Sequence, residues 1–274
     1  MYLWRKRANP DWVRNRSGEL IRRFGSALAI IERPKKVRSL LEIATTKEQG
    51  CDLVREFGGA IKKLRADWLQ DFAKQPRAKP LRIGSRLIVS RSADSKDKRA
   101  IVIPAETAFG TGEHATTAMC LRMLERVTRR RDNDWTMLDA GTGSGILAIA
   151  GSRFGAKRVF AIDNDPLASS TAQRNARANR ARNIEFRTGD VLKQKLGPKF
   201  YVITANLFSE ILIAALPIWA RHLARDGCLI LSGVLRSQES ALVAALRRNG
   251  FGARQIKRRG KWIALLASRT RKSS

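Results

Sequence analysis

From Ile101 onward, short apolar runs alternate with longer stretches that repeat their apolar residues at helical spacing. The runs "AIVIP", "TMLDA", "RVFAID", "IEFRTG", "YVITAN" and "CLILSG" are bounded by turn residues, and continuous apolar character at that length predicts strands buried on both faces. Helices are predicted over 114–129, 145–154, 166–179, 209–225 and 236–249. Strands alternating with helices make a mostly parallel sheet covered by helices on both sides. After the last helix, "ARQIKRRGKWIALLAS" reads as two strands around Arg259-Gly260, a closing hairpin that adds an antiparallel strand to that sheet.

Residues before about 98 have a different texture, basic and irregular in period. "SALAIIERP" and "VRSLLEIATT", joined by Arg33, Pro34 and two lysines, read as a strand hairpin. "KEQGCDLVREF" supplies a helix ending at Gly58-Gly59, followed by an extended link and a second helical stretch around Trp68. "KPLRIGSRLIVS" is a strand pair and "RSADSKDKRA" a polar loop. The expected organisation is a small basic α+β domain over 1–62, a linker with a helix and a strand pair over 63–100, and an α/β domain over 101–270.

The chemistry concentrates in "WTMLDAGTGSGILAIAGSRFGAKRVFAIDNDP". A strand ends at Asp139, and Gly141, Gly143 and Gly145 turn the chain into a helix whose first amides have no intrahelical partner. About twenty residues later a second strand ends in Asp163, where a carboxylate can accept both hydroxyls of a ribose. An adenosine-type nucleoside fits this pair. The third glycine comes one position too early for the dinucleotide fingerprint. Asp139, just before the turn, would repel a pyrophosphate but suits the sulfonium and ammonium charges of S-adenosylmethionine. An ordinary tight strand–helix turn without a ligand is the alternative.

Two more strand ends fall on the same edge, because ligands of open α/β sheets lie beyond the carboxyl ends of the strands. Asp190, after "IEFRTG", is placed to accept from an adenine amino group, with a helix or turn cap as its alternative. Asn206, closing "YVITAN", is placed to contact the donor or an incoming nucleophile, with an Asx turn as its alternative. "LFSE" follows Asn206 without the proline and aromatic residue on which a flipped base would stack, which argues against DNA adenine methylation.

The net charge of +30 changes the picture of partners. Such a field draws nucleic acid or nucleoprotein, although a solvated arginine-rich surface gives the same number. Cys51, Cys120 and Cys228 are odd in number and far apart, which argues against a disulfide framework or cysteine metal site and for small buried hydrophobes. His114 and His222 are surrounded by no ligand set, so no metal is expected. No apolar run approaches the length of a bilayer span, and "MYLWRKRANPDW" has a basic patch without the apolar core of a secretory signal. A cytoplasmic, non-membrane protein is the expectation.

The segments "AFGTGEHATT", "LDAGTGSGILAIAGSRFGAKRVFAIDNDP", "VITANLFSEIL" and "GCLILSGVLRSQ", and more loosely "ADWLQDFAKQPRAKPLRIGSRLIV", resemble the ribosomal protein L11 methyltransferase family over about residues 64–250. The glycine turn is common to all class I methyltransferases; the G-T-G-x-H-x-T-T segment upstream of it is far more specific. The resemblance implies a Rossmann-like class I sheet, seven-stranded and mostly parallel with a C-terminal antiparallel strand, behind a small N-terminal domain that recognises the substrate. It implies S-adenosylmethionine as donor, S-adenosylhomocysteine as product, and lysine or terminal amines of ribosomal protein L11, or another ribosome-associated protein, as acceptor; a monomer is expected. Carried onto this chain, Thr117, Gly141, Asp163 and Asn206 are the donor-binding residues, Phe109 and Thr111 support them, and Asn206 orients the amine. His114 and Glu113 are lesser candidates for a general base, against capping and lid packing. The chain departs from the family at Glu113, Ala115 and Glu106-Thr107, and its N-terminal part is shorter and more basic. RNA methylation, with RNA held by the basic N-terminal region and stacked on Trp4, Trp12 or Trp68, is the competing function, as is methylation of another protein; core packing is the competing role for each tryptophan.

Overall fold

The computed structural model describes residues 2–24, 28–31, 38–63, 80–91, 97–104, 114–197 and 199–270. The chain divides into two compact units, Met1–Pro76 and Arg77–Ser274.

In the first unit the elements run β1 (Tyr2–Ala8), α1 (Pro10–Phe24), β2 (Leu28–Ile31), β3 (Ser39–Thr45), α2 (Lys47–Phe57) and β4 (Ala60–Lys63). The expected hairpin is present as β2 and β3, antiparallel with Leu28 opposite Ile43. The sequence reading missed β1, which pairs with β3 on one side and β4 on the other, giving the order β2-β3-β1-β4. Three consecutive cations, Arg5, Lys6 and Arg7, hide its period of two. Trp4 and Ala8 point inward and are buried, whereas Arg5 and Arg7 point outward and are exposed. Arg5 lies opposite Glu42 and pairs with it at 2.6 Å. The "extended link" after the Gly58-Gly59 turn is β4. Trp4, Leu41 and Ile43 pack against Leu20 of α1 and Leu53 and Phe57 of α2. The Trp4 indole donates to the Gly58 carbonyl at 2.9 Å, and Gly59, at φ 93°, has no room for a Cβ, which would sit 2.5 Å from the Arg5 carbonyl oxygen. Trp4 is therefore a core residue, and half-buried Trp12 meets Phe57 edge-on at 6.2 Å; Trp68 lies outside the described residues.

The second unit holds two sheets. β5 (Leu81–Ile83) and β6 (Leu87–Ser90) form the expected strand pair. β7 (Ala100–Val102), the "AIVIP" run, was expected to open the large sheet, but it pairs in parallel with β6 in a separate three-stranded sheet. Ile83, Leu87, Val89, Ile101 and Ile103 join the core of the large domain, so the strand pair assigned to a linker falls with that domain. The amide of Asn179 clamps β7: its Oδ1 accepts from Val102 N at 2.7 Å and its Nδ2 donates to Val102 O at 2.8 Å. Asn179→Ala removes both and leaves a backbone pair unmet. A loss of about 2–3 kcal/mol in urea-unfolding free energy is expected, against near neutrality for an exposed asparagine.

The large sheet contains β8 (Thr136–Ala140), β9 (Arg158–Asp163), β10 (Ile184–Thr188), β11 (Phe200–Asn206), β12 (Leu223–Leu235), β13 (Phe251–Arg259) and β14 (Trp262–Arg269), in the order β10-β9-β8-β11-β12-β14-β13. All neighbours are parallel except β14, which runs antiparallel between β12 and β13, as the closing hairpin foretold. The helices are α3 (Ala115–Thr128), α4 (Ile146–Arg153), α5 (Pro166–Ala178), α6 (Ser209–His222) and α7 (Glu239–Arg248), the last preceded by a 3₁₀ turn at Arg236–Gln238. Residues of α3, α4 and α5 enter one core, those of α6 and α7 the other, so both faces of the sheet are covered. Helix α6 stops at His222 rather than 225, because the chain passes directly into β12 at buried Leu223, opposite Phe200. The strand order reverses between β8 and β11, which opens a crevice at their carboxyl ends. No helix among the described residues is long and apolar enough to cross a membrane.

Candidate functional site

Asp139, the next-to-last residue of β8, is 1% exposed. Its Oδ2 accepts from the Thr142 hydroxyl at 2.7 Å and its Oδ1 from the Thr204 hydroxyl at 2.6 Å, and the Ala148 backbone bonds it as well. Thr204 faces Asp139 in the parallel register of β11 and β8. These bonds favour the carboxylate, but burial outweighs them and pushes its pKa up to about 6. The Asp139 carboxylate thus braces the turn that follows it. Both hydroxyls escaped the sequence reading; Thr142 lies three residues on, while Thr204 comes near only through strand pairing.

The raised pKa makes a testable statement about stability. With a folded pKa near 6 and an unfolded one near 3.9, the folded state binds more protons between those values, so stability contributed at low pH is lost as pH rises from about 4 to 6. The Asp139→Asn protein, which carries no charge there, is expected to gain about 2–3 kcal/mol over the parent at pH 8 relative to pH 4 in urea unfolding. A constant difference across that range refutes a buried carboxylate that titrates late.

Gly141, at φ 73°, donates its amide to the Ile162 carbonyl at 2.8 Å, as Thr142 does at 3.0 Å. A Cβ on Gly141 would lie 2.3 Å from Leu207 Cδ2. The Gly143 amide donates to Asp163 Oδ2 at 2.8 Å, and the Asp165 amide to Asp163 Oδ1 at 3.0 Å. Asp165 in turn caps α5, accepting from Leu167 N at 2.8 Å with Pro166 in the first turn. Asp163 is 7% exposed, and burial raises its pKa against the pull of those amides. The glycine turn and the end of β9 form one bonded unit. The Asn164 amide bonds the Asp163 carboxylate as well, which leaves one lone pair for a further donor.

Asp190 is tied to the same unit, since Gly189 N donates to Asp163 O at 2.8 Å. Its own Oδ1 accepts from Leu192 N at 2.9 Å, the turn-cap geometry named above as the alternative for this residue. At the end of β11, Asn206 Nδ2 donates to Thr117 Oγ1 at 3.4 Å, and Thr117, in the first turn of α3, is buried. Asn206 Oδ1 is buried with no hydrogen-bond partner among the described residues. A buried carbonyl oxygen left unpaired costs about 1–3 kcal/mol, so its presence asks for a ligand.

His114 precedes α3. Its Nδ1 lies 2.7 Å from the Thr116 hydroxyl, and its ring meets Trp262 edge-on at 5.1 Å. Burial first, then the Lys261 charge, lowers its pKa and keeps the ring neutral at pH 7. Trp262 comes from the closing hairpin, whose strands were expected but whose contact with His114 no local signal announced. Phe109 and Thr111, with Glu106 and Glu113, lie outside the described residues. Among the described residues no cluster of three His, Cys, Asp or Glu is placed to hold a metal, and His222 Nδ1 sits 3.3 Å from the Gly197 carbonyl. Cys120 and Cys228 are buried, with thiol pKa values pushed up to about 12, whereas Cys51, expected to be buried, is half-exposed.

A doubly wound sheet with this order, a glycine turn after its central strand and a carboxylate closing the next define a class I, Rossmann-like methyltransferase domain. Residues 19–270 match the model of the ribosomal protein L11 methyltransferase (PrmA) family, and the chain belongs to that family. It is similar to the ribosomal protein L11 methyltransferase of Heliobacterium modesticaldum, 37% identical over 70% of this chain and 61% of that protein, and to that of Clostridium perfringens, 31% identical over 81% and 70%. The chain thus spans less than two thirds of the Heliobacterium relative. Its fold is similar to the crystal structure of the ribosomal protein L11 methylase from Lactobacillus delbrueckii subsp. bulgaricus, with a TM-score of 0.62 and 30% identity over 70% of this chain and 99% of that one.

Proposed function

We propose that this protein transfers methyl groups from S-adenosylmethionine to lysine or terminal amines of ribosomal protein L11, leaving S-adenosylhomocysteine. The observation that carries this reading is Asn206 Oδ1, without a partner among the described residues and buried beside Thr117 at the switch point of a fold whose family is named for that reaction. The carboxylates around it suit a cationic donor. The donor supplies an electrophilic methyl group on a sulfonium. Asp163 would hold the ribose through the lone pair its backbone bonds leave over, and Gly141 and Gly143 would bring main chain close to the donor. Asp139 fixes that turn and contributes negative potential; Asp190 takes the adenine amino group; Phe109 and Thr111 support donor binding.

An acceptor lysine, with a pKa of about 10.4, must lose a proton before it attacks. Asn206 Oδ1 accepts an N–H of the neutral amine and so aims its lone pair, while Thr117 keeps the amide from rotating. Alignment and exclusion of water supply most of the rate, because the leaving group is already good.

The test uses purified protein, methyl-labelled donor and fractionated cell extract, with protease and RNase arms. Label is expected in a protease-sensitive, RNase-resistant band that co-migrates with L11. Label in an RNase-sensitive species would establish the RNA methyltransferase alternative instead, and label confined to another protein would remove L11 as the substrate.

A further inference from the structure

The large sheet is mixed in charge at its carboxyl end, where Arg236 and Arg259 stand at the ends of β12 and β13 and Lys261 at the start of β14, and predominantly basic at its amino end. Its carboxyl end carries Asp139, Asp163, Asp165 and Asp190 around the site. At its amino end every helix finishes, and each of α3 to α7 has at least one basic residue in its last turn, which is what the helix macrodipole favours. The cations there exceed that need. Arg180 and Arg182 precede β10, Arg130 precedes β8, Lys199 precedes β11, Arg225 lies in the irregular first turn of β12, and Arg248 precedes β13. All six are exposed, and none has an ion-pair partner among the described residues. Of the carboxylates on this edge, Asp134 is paired with Lys157, Asp226 with Arg131, Glu185 with Arg158 and Arg187, and Glu125 with Arg129, which leaves Asp132.

We propose that this amino edge is a docking surface for the phosphate backbone of RNA. Its six cations follow the edge of seven strands, a row of roughly 29 Å at the usual strand spacing. A row of five separate, solvated guanidinium forks and one ammonium matches successive phosphates, each neutralised at the gain of a released counterion, better than it matches a protein segment with a few clustered acids. The charge lies on connectors held by the sheet, so little ordering entropy is lost on contact. RNA rather than DNA rests on the ribosomal-protein substrate proposed above. Because this edge is opposite the site, RNA bound there leaves the donor crevice open. The enzyme could then hold a ribonucleoprotein while it modifies the protein part.

The experiment measures binding of a fluorescein-labelled 30-nucleotide RNA to the full chain by anisotropy at several salt concentrations. The Arg180→Glu/Arg182→Glu/Arg225→Glu/Arg248→Glu protein is expected to bind roughly 100-fold more weakly at 0.1 M salt, and the slope of log K against log salt to fall by about 3, for four lost contacts at about 0.7 each. The corresponding glutamine variant removes the four positive charges without adding negative ones and should lose a smaller, same-signed share. Methylation of free L11 by these variants should stay within twofold of the parent, which separates failure of the docking surface from failure of the substrate reading. RNA affinity within twofold of the parent overturns the proposal. So does loss of RNA binding only when Arg5 and Arg7 of the first unit are reversed, tighter binding of DNA of the same sequence, or equal competition by polyglutamate of matched charge.

Discussion

Asn206→Ala is expected to lower kcat about 100- to 1,000-fold on L11 while changing donor affinity less than tenfold. The loss corresponds to about 3–4 kcal/mol of transition-state stabilisation, the size seen when a preorganised polar group at the reacting centre is removed. The structure gives a second readout of the same residue. Among the described residues its Oδ1 is buried without a partner and its Nδ2 makes only a long bond to Thr117, so the amide costs the folded protein more than it returns. Asn206→Leu should therefore unfold about 1 kcal/mol later in urea and yet be inactive. A residue kept for packing would show the reverse pattern, falling stability with activity nearly intact. Thr117→Ala should cost less alone, and a double-mutant cycle should show coupling of about 0.5–2 kcal/mol, since Thr117 acts by holding the amide. Asn206→Ala with kcat within threefold of the parent would remove Asn206 from the reaction.

Where the sequence was legible, one physical cause usually dominated. Strands buried on both faces have nothing but apolar side chains to show, and "VFAID" or "VITAN" announced themselves for that reason. The glycine turn was legible because its backbone demands positive φ at Gly141, Gly143 and Gly145. β1 was not, because its outward face carries the charge that also marks a loop, and only pairing with β3 and β4 makes Arg5 opposite Glu42 a favourable neighbour. "AIVIP" looked like its fellow strands and joined a different sheet, a choice made by the Asn179 clamp 77 residues away. The site divides the same way. Asp163 and Asn206 could be placed from strand ends, whereas Thr204 bonds Asp139 across 65 residues and Trp262 reaches His114 from the far hairpin. Local patterns carry periods and turns; they do not carry which strands become neighbours.

Asp163→Ala is expected to weaken donor binding about 100- to 1,000-fold, measured by calorimetry with S-adenosylhomocysteine so that turnover plays no part. Two effects add. The ribose loses a charge-assisted hydrogen bond, worth about 1.5–3 kcal/mol. The Gly143 amide also loses its acceptor at 2.8 Å, which frees the turn that must approach the donor. Asp163→Asn separates them, because one amide oxygen can still serve either the Gly143 amide or a ribose hydroxyl; its loss should fall between the parent and the alanine protein. The pH dependence gives an independent check. Burial raises the Asp163 pKa, so its ionised fraction, and with it donor affinity, falls toward acid pH in the parent. The asparagine protein has no such group and should lose that component of the slope. If the alanine protein binds within threefold of the parent, Asp163 only braces Gly143 and Asp165, and the ribose is held elsewhere.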